Sequence, residues 1–406
     1  MPHDRLDAAL ASQVETLKQA GTAKGSETII TDVVAPSGGA GPRYRLAGVD
    51  GAFLRMNSNS YLGLSRHPAV VDAEETTTRR FGAGPGGVRF ISGSYQAHID
   101  LEDRLARFHE REASMIFSSA YAAVISTLTS LIDSETVVLS DQLNHNCIIN
   151  ALQLSRPARR EVYSHLDFDA LGSALGRLVG EGRRAMVVTD GVFSMRGDHA
   201  DLSRLQDVAQ AHDSSYPENV VVVVDDSHGV GALGNTGRGT EEVAGSGPSD
   251  VLIGTLGKAF GVNVGYVAGS RDLVSFLREK APMYIYSNPI TVGEAAAANM
   301  ALSIVDSAEG LEMLSHLREM TRRFEHGLVD LGFETIPGPH PVVPLMVRDT
   351  ERTTALVAHL RDNEILATGL NYPVVPKGDE EIRFQVNADH TTGDIDLVLG
   401  ALASFG

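Results

Sequence analysis

A single cysteine, Cys147, occurs in 406 residues. One thiol excludes an internal disulfide and any cysteine-rich metal site, and it fits a reducing compartment. Positive charge is also scarce: 34 Lys plus Arg stand against 52 Asp plus Glu, a formal net charge of −18. A surface of that sign repels nucleic acid and anionic lipid, so an anionic ligand must be held by a local set of donors. Long apolar runs are missing as well. Nothing is long enough to span a bilayer, and the N-terminus lacks the uninterrupted apolar core of a secretory signal. The expectation is a cytoplasmic protein with no nucleic-acid partner and no membrane partner.

The length suggests a large domain accompanied by a smaller one. In "MPHDRLDAALASQVETLKQAG", Leu6, Leu10, Val14 and Leu17 recur at helical spacing, which predicts a docked amphipathic helix. Residues 21 to about 45 are rich in Gly, Ser and Pro and read as a linker holding a strand or two, so 1–55 forms an N-terminal helix-and-linker segment. Helical patterns then alternate with the runs "ASMIFSS", "TVVLSD", "AMVVTDG", "NVVVVVDDSHG", "DVLIGTLGK" and "VGYVAGS". Runs this apolar predict strands buried on both faces of a mainly parallel central sheet, in a large α/β domain over 56–290. After a helical stretch, "VVPLMV" and "IRFQVN" flank another helix, which predicts a smaller C-terminal α/β domain over 291–406.

Ligands of such sheets collect beyond the carboxyl ends of the strands. Ser118, Ser119, Asp141, Asp190, Asp225 and Lys258 all fall at that edge. "GTLGKAFG" sets Lys258 among small and apolar neighbours, where an ammonium is costly unless paired or neutralised. It is either a surface lysine or a partly desolvated amine able to condense with a carbonyl. Asp225 and His228 follow the valine run; a carboxylate there could face a metal, cap a helix or pair with a cationic ring nitrogen. No third His or Cys lies nearby in sequence to complete a metal site, and none is assigned. His145 in "SDQLNHNCIIN" is either a satisfied core histidine or an imidazole stacked on an aromatic ligand. Ser119, Ala120 and Tyr121 sit at a strand-to-helix junction that favours a phosphate. Together these features call for a ligand with a phosphate, a protonatable aromatic nitrogen and an aldehyde, and pyridoxal 5′-phosphate has all three. Lys258 is then held as an imine.

From "NSNSYLGLSRHP" near residue 57 to "EIRFQVNADHT" near 390, the chain resembles the α-oxoamine synthases of the fold-type I pyridoxal-phosphate transferases. "TDGVFSMRGD", "VDDSHGVGALG" and "GTLGKAFG" look most like the ketobutyrate-ligase branch. The resemblance implies that Lys258 carries the cofactor and moves protons, that Asp225 partners the pyridine nitrogen, and that His228 and Ser194 attend the ring hydroxyl. It implies His145 as the stacking histidine and Thr255 as a phosphate contact beside Ser119, Ala120 and Tyr121. Ser287 and Asn288 match phosphate contacts arriving from a second subunit, which implies a homodimer with shared active sites. Arg383 matches the grip on the amino-acid carboxylate, with Asn59 beside it.

The implied reaction condenses an amino acid with an acyl thioester of CoA or an acyl-carrier protein, giving an α-aminoketone, carbon dioxide and free thiol. An aldolase or aminotransferase of the same fold is the alternative. Ala120, Val124, Arg196, "LNHNCIIN" and Pro289–Ile290 depart from the common family strings near where substrate would sit. A substrate identity is therefore not carried over from the resembling branch.

Overall fold

Five consecutive valines, Val220 to Val224, cannot alternate between a wet and a dry face, so they make a stable strand only where both faces are covered. In the computed structural model, which describes residues 3–20, 22–23, 25–372 and 374–405, they lie in the middle of a seven-stranded sheet. Its strands, in chain order, are β1 (Ala113–Phe117), β2 (Thr136–Asp141), β3 (Arg159–Tyr163), β4 (Arg184–Asp190), β5 (Val220–Asp225), β6 (Val251–Thr255) and β7 (Gly265–Gly269). They are arranged β1-β7-β6-β5-β4-β2-β3. Adjacent strands from β6 through β3 run parallel, and β7 is antiparallel to both of its neighbours. The mainly parallel α/β sheet expected for a fold-type I transferase is present, with helices linking its strands.

Alternate residues feed two separate cores. Val138, Val188 and Val223 join one apolar cluster with the helices Ala120–Leu131 and Asn146–Leu154. Val137, Val187, Val222 and Val224 join another with Phe168–Arg177 and Leu202–His212. Neighbours in sequence thus serve opposite faces, as the two-residue repeat of a strand requires. Each fully buried valine contributes about 1.5–3 kcal/mol over its exposed state. β3 is different: "RREVY" lies at the sheet edge with most of its residues in contact with solvent. Charges there discourage another strand from adding on.

The chain divides into two compact units. One comprises Asn59–Glu319 with Gly338–Pro341 and contains the seven-stranded sheet; the other gathers Met1–Ser58, Met320–Pro337 and Val342–Gly406. In the second unit the strand Ile365–Leu366 pairs in parallel with Val49–Arg55. Asp394, in the helix Thr392–Ala403, accepts from the backbone N–H of Gly41 and from the guanidinium of Arg43. These contacts draw the N-terminal segment into one unit with the C-terminal residues, where the sequence suggested separate segments. The helix Val292–Val305 groups with the large sheet. The amphipathic helix forms over Asp4–Gln19, yet none of its residues is buried, so it is not docked against this chain as its spacing suggested. Among the described residues, no helix is long and apolar enough to cross a membrane.

Candidate active site

The carboxyl ends of β4 and β5 bring Asp190 and Asp225 side by side as register partners. Around them lies a cavity lined also by Ala120, Tyr121, His145, Cys147, Val192, Ser194, Ser227, His228 and Lys258. Seven predicted site residues therefore share one cavity: Lys258, His145, Asp225, His228, Ser194, Ala120 and Tyr121. They arrive from five connections of the same sheet, which is why no short sequence motif contains them all.

Asp225 is buried, and its two oxygens are not equivalent. Oδ1 accepts from both the backbone N–H (3.1 Å) and the hydroxyl (2.6 Å) of Ser227. Oδ2 lies 3.7 Å from Cys147 Sγ, and through it the carboxylate can meet a ring nitrogen. The neighbouring Asp190 Oδ2 accepts the backbone N–H of His145 at 2.9 Å. Burial and the repulsion of Asp225 raise the pKa of Asp190 well above the usual carboxylate range, while His145 N–H and Lys258 oppose the rise. Two acids in one dry site create a demand for a cation or a proton, and Lys258 is the cationic side chain on the cavity wall.

His145 caps the helix Asn146–Leu154, and its Nδ1 accepts the backbone N–H of Cys147 at 3.3 Å. Its pKa is lowered by burial, with Asp225 pulling upward and Lys258 pushing further down. His228, three residues past the valine strand's end, is buried, with Nδ1 2.8 Å from Tyr61 Oη. Tyr61 Oη also reaches Asn59 Oδ1 at 3.3 Å, so Asn59 is linked to His228 through one hydroxyl. His340 Nε2 donates to the His228 carbonyl at 2.9 Å and fixes its backbone.

The phosphate-like end is built from backbone. Ser119 caps the helix Ala120–Leu131, its Oγ accepting from Ala122 N–H at 3.1 Å. The first N–H groups of a helix have no intrahelical acceptor and point outward with the positive end of the dipole. Gly265 on β7 allows this terminus to come so close: a Cβ there would lie 2.1 Å from the Ser119 carbonyl carbon and 2.3 Å from Ala120 N. Thr255 is buried at the end of β6, where its hydroxyl donates to the Val264 carbonyl and accepts from Gly257 N–H, shaping the turn that carries Lys258.

Other predicted residues are not in the cavity wall. Ser287 and Asn288 follow the short helix Pro282–Ile285 and stand at the surface of the large unit. Arg383 lies half-buried on the strand Glu381–Gln385 of the other unit. There its guanidinium is 2.8 Å from the Gln385 amide oxygen in that amide's favourable orientation. Sequence reasoning passed over Cys147, Ser227, Tyr61 and His340 as site residues. Tyr61 belonged to the quoted "NSNSYLG", but nothing in its spacing connects it with His228. Asp190 carried a usable signal, because "AMVVTD" ends as "VVVVVD" does.

A carboxylate for a ring nitrogen, an imidazole on the wall, an amine, and a glycine-permitted helix terminus fit pyridoxal 5′-phosphate in charge and in number of anchor points. Residues 52–402 match the model of the aminotransferase class I and II family. The 8-amino-7-oxononanoate synthase of Marinobacter nauticus is 38% identical over 396 residues, 97% of this chain and 95% of that protein. The mitochondrial 2-amino-3-ketobutyrate coenzyme A ligase of Mus musculus is 36% identical over 404 residues, 99% of this chain and 93% of that protein. A solved serine palmitoyltransferase structure, described as containing a pyridoxal-phosphate internal aldimine, aligns with a TM-score of 0.86 at 25% identity. That alignment covers 100% of this chain and 98% of the other.

Proposed function

The chain belongs to the aminotransferase class I and II family and, within it, to the α-oxoamine synthases; on that premise we propose that it joins the Cα of an amino acid to the acyl group of a thioester. The products are an α-aminoketone, carbon dioxide and the free thiol. The observation that carries this reading is the convergence of Lys258, Asp225 and His145 on one cavity. Pyridoxal 5′-phosphate, when bound, supplies the electron sink that accepts charge from Cα.

The protein's own groups do the rest. Lys258 Nζ would hold the cofactor at rest and, when free, would take the Cα proton and later return one. Asp225 Oδ2 keeps the ring nitrogen protonated, and Ser227 on Oδ1 stops the carboxylate from turning away. His228, braced by Tyr61, and Ser194 attend the ring hydroxyl. Backbone N–H groups at Ala120 and Tyr121, with Ser119 and Thr255, take the phosphate. His145, on the cavity wall, would cover one face of the ring and donate to the acyl carbonyl oxygen as charge develops there. Arg383 grips the amino-acid carboxylate with its planar fork, assisted by Asn59.

A second copy of the chain completes the site with its Ser287 and Asn288. Exposed apolar side chains support that interface: Phe90, Ile91 and Tyr286 are 65%, 72% and 81% exposed on the single chain. They sit on segments braced by one buried ion cluster, in which Glu102 binds both Arg89 and Arg278.

The test is two-stage. Cofactor-loaded protein in deuterated water is incubated with each common amino acid, and Cα exchange identifies the substrate. An acyl-CoA or acylated carrier protein is then added. Carbon dioxide released only in the presence of thioester supports the condensation. Turnover without any thioester would assign an aldolase or aminotransferase instead.

A further inference from the structure

Both ends of Cys147 point at one atom. Its backbone N–H donates to His145 Nδ1 at 3.3 Å, and its Sγ lies 2.9 Å from the same nitrogen. Asp225 Oδ2, 3.7 Å from Sγ, is the competing acceptor for the thiol hydrogen. The thiol is 3% exposed, and burial beside Asp225 and Asp190 raises its pKa, so it keeps its hydrogen. A backbone donor aimed at Nδ1 disfavours a hydrogen on that nitrogen, but at 3.3 Å it is a long bond and does not fix the tautomer alone. The thiol hydrogen offers the same lone pair a second donor. His145 is further anchored by Asp190, which accepts its backbone N–H. The charged groups facing the ring are Asp225 and Lys258, of opposite sign.

We propose that Cys147 is a positioning residue that holds His145 in the neutral form with its one proton on Nε2. The imidazole then meets the reacting acyl group as a hydrogen-bond donor and has no lone pair on that side with which to act as a base. The role assigned to the donor rests on the acyl-transfer reading above; the tautomer itself does not. In this arrangement the thiol gives its hydrogen to the nearer acceptor, His145, and Asp225 Oδ2 keeps its strength for the cofactor nitrogen.

The experiment uses the cofactor-loaded protein labelled with ¹⁵N-histidine, with long-range proton–nitrogen correlations assigned to His145 by comparison with His145→Gln. At neutral pH the wild type should show a protonated Nε2 and a bare Nδ1. Cys147→Ala should mix in the other tautomer or the charged ring, and should lower kcat about tenfold, the worth of one hydrogen bond, at unchanged KM for the amino acid. Cys147→Ser, which retains a donor, should restore both the wild-type spectrum and kcat. A wild-type ring carrying its proton on Nδ1, or a Cys147→Ala spectrum identical to wild type, would overturn the proposal. Absence of thioester-dependent carbon dioxide with the expected tautomer present would instead remove the reaction assignment and leave the positioning role standing.

Discussion

His145 and His165 stand at the same edge of one sheet, beyond the ends of β2 and β3, and each has two carboxylates in its surroundings; their charge states are nonetheless opposite. His165 spends both ring nitrogens on acids: Nδ1 is 3.0 Å from Asp141 Oδ1 and Nε2 is 3.2 Å from Asp198 Oδ2. Burial works against its charge, but those two hydrogen bonds prevail and hold its pKa up at about 9. His145 gives Nδ1 to Cys147, faces the Lys258 cation, and is driven toward the neutral form by burial. What decides the charge is which atoms the ring's own nitrogens meet, not how many acids stand nearby. The first arrangement makes a brace; the second keeps a ring nitrogen available for chemistry.

The largest expected effect comes from erasing the cation. Lys258→Ala should lower turnover by about 10³-fold or more, since both the cofactor tether and the proton carrier go. It should also raise the pKa of His145 toward that of His165, which a histidine NMR titration would read. A His145 that titrates unchanged in that variant would break the comparison at its centre. Asp225→Asn sharpens the contrast from the other side. Solvent exchange at Cα should fall about 10²-fold, and the pKa of His145 should drop further because its one raising neighbour is gone.

The smallest effect is on stability. The pKa of His165 is raised in the folded state above its unfolded value of about 6.5. Its contribution is therefore fully present below about pH 6.5 and is lost as pH rises through about 9. His165→Gln should cost ~2 kcal/mol near pH 6 and almost nothing at pH 10, with kcat nearly unchanged. Denaturant melts at the two pH values check this, and an equal loss at both would show that the ion pairs are not the cause.

The same contrast separates what the sequence made legible from what it hid. Six of the seven strands in the large sheet announced themselves as apolar runs, because a strand covered on both faces has no other way to be written. β3 escaped because most of its residues face solvent: "RREVY" keeps its charges and carries no apolar pattern. Lys258, Asp225, His145 and His228 were readable because strand ends and family strings mark them. Tyr61 and His340 were not, since their roles depend on distances between connections far apart in the chain; Cys147, two residues from His145, was not because spacing does not show its thiol turning back to the ring. Likewise Leu6, Leu10, Val14 and Leu17 foretold a helix, but periodicity cannot say whether its apolar stripe is covered by its own chain.

The central claim is that Lys258 is the amine that holds pyridoxal phosphate. Borohydride reduction of the cofactor-loaded protein, followed by peptide mass mapping, tests it directly. The account predicts a pyridoxyl-phosphate adduct on Lys258 alone, lost when the amino-acid substrate is present before reduction. An adduct on Lys280 or Lys377, or none on any lysine of a protein that still turns over, would contradict it.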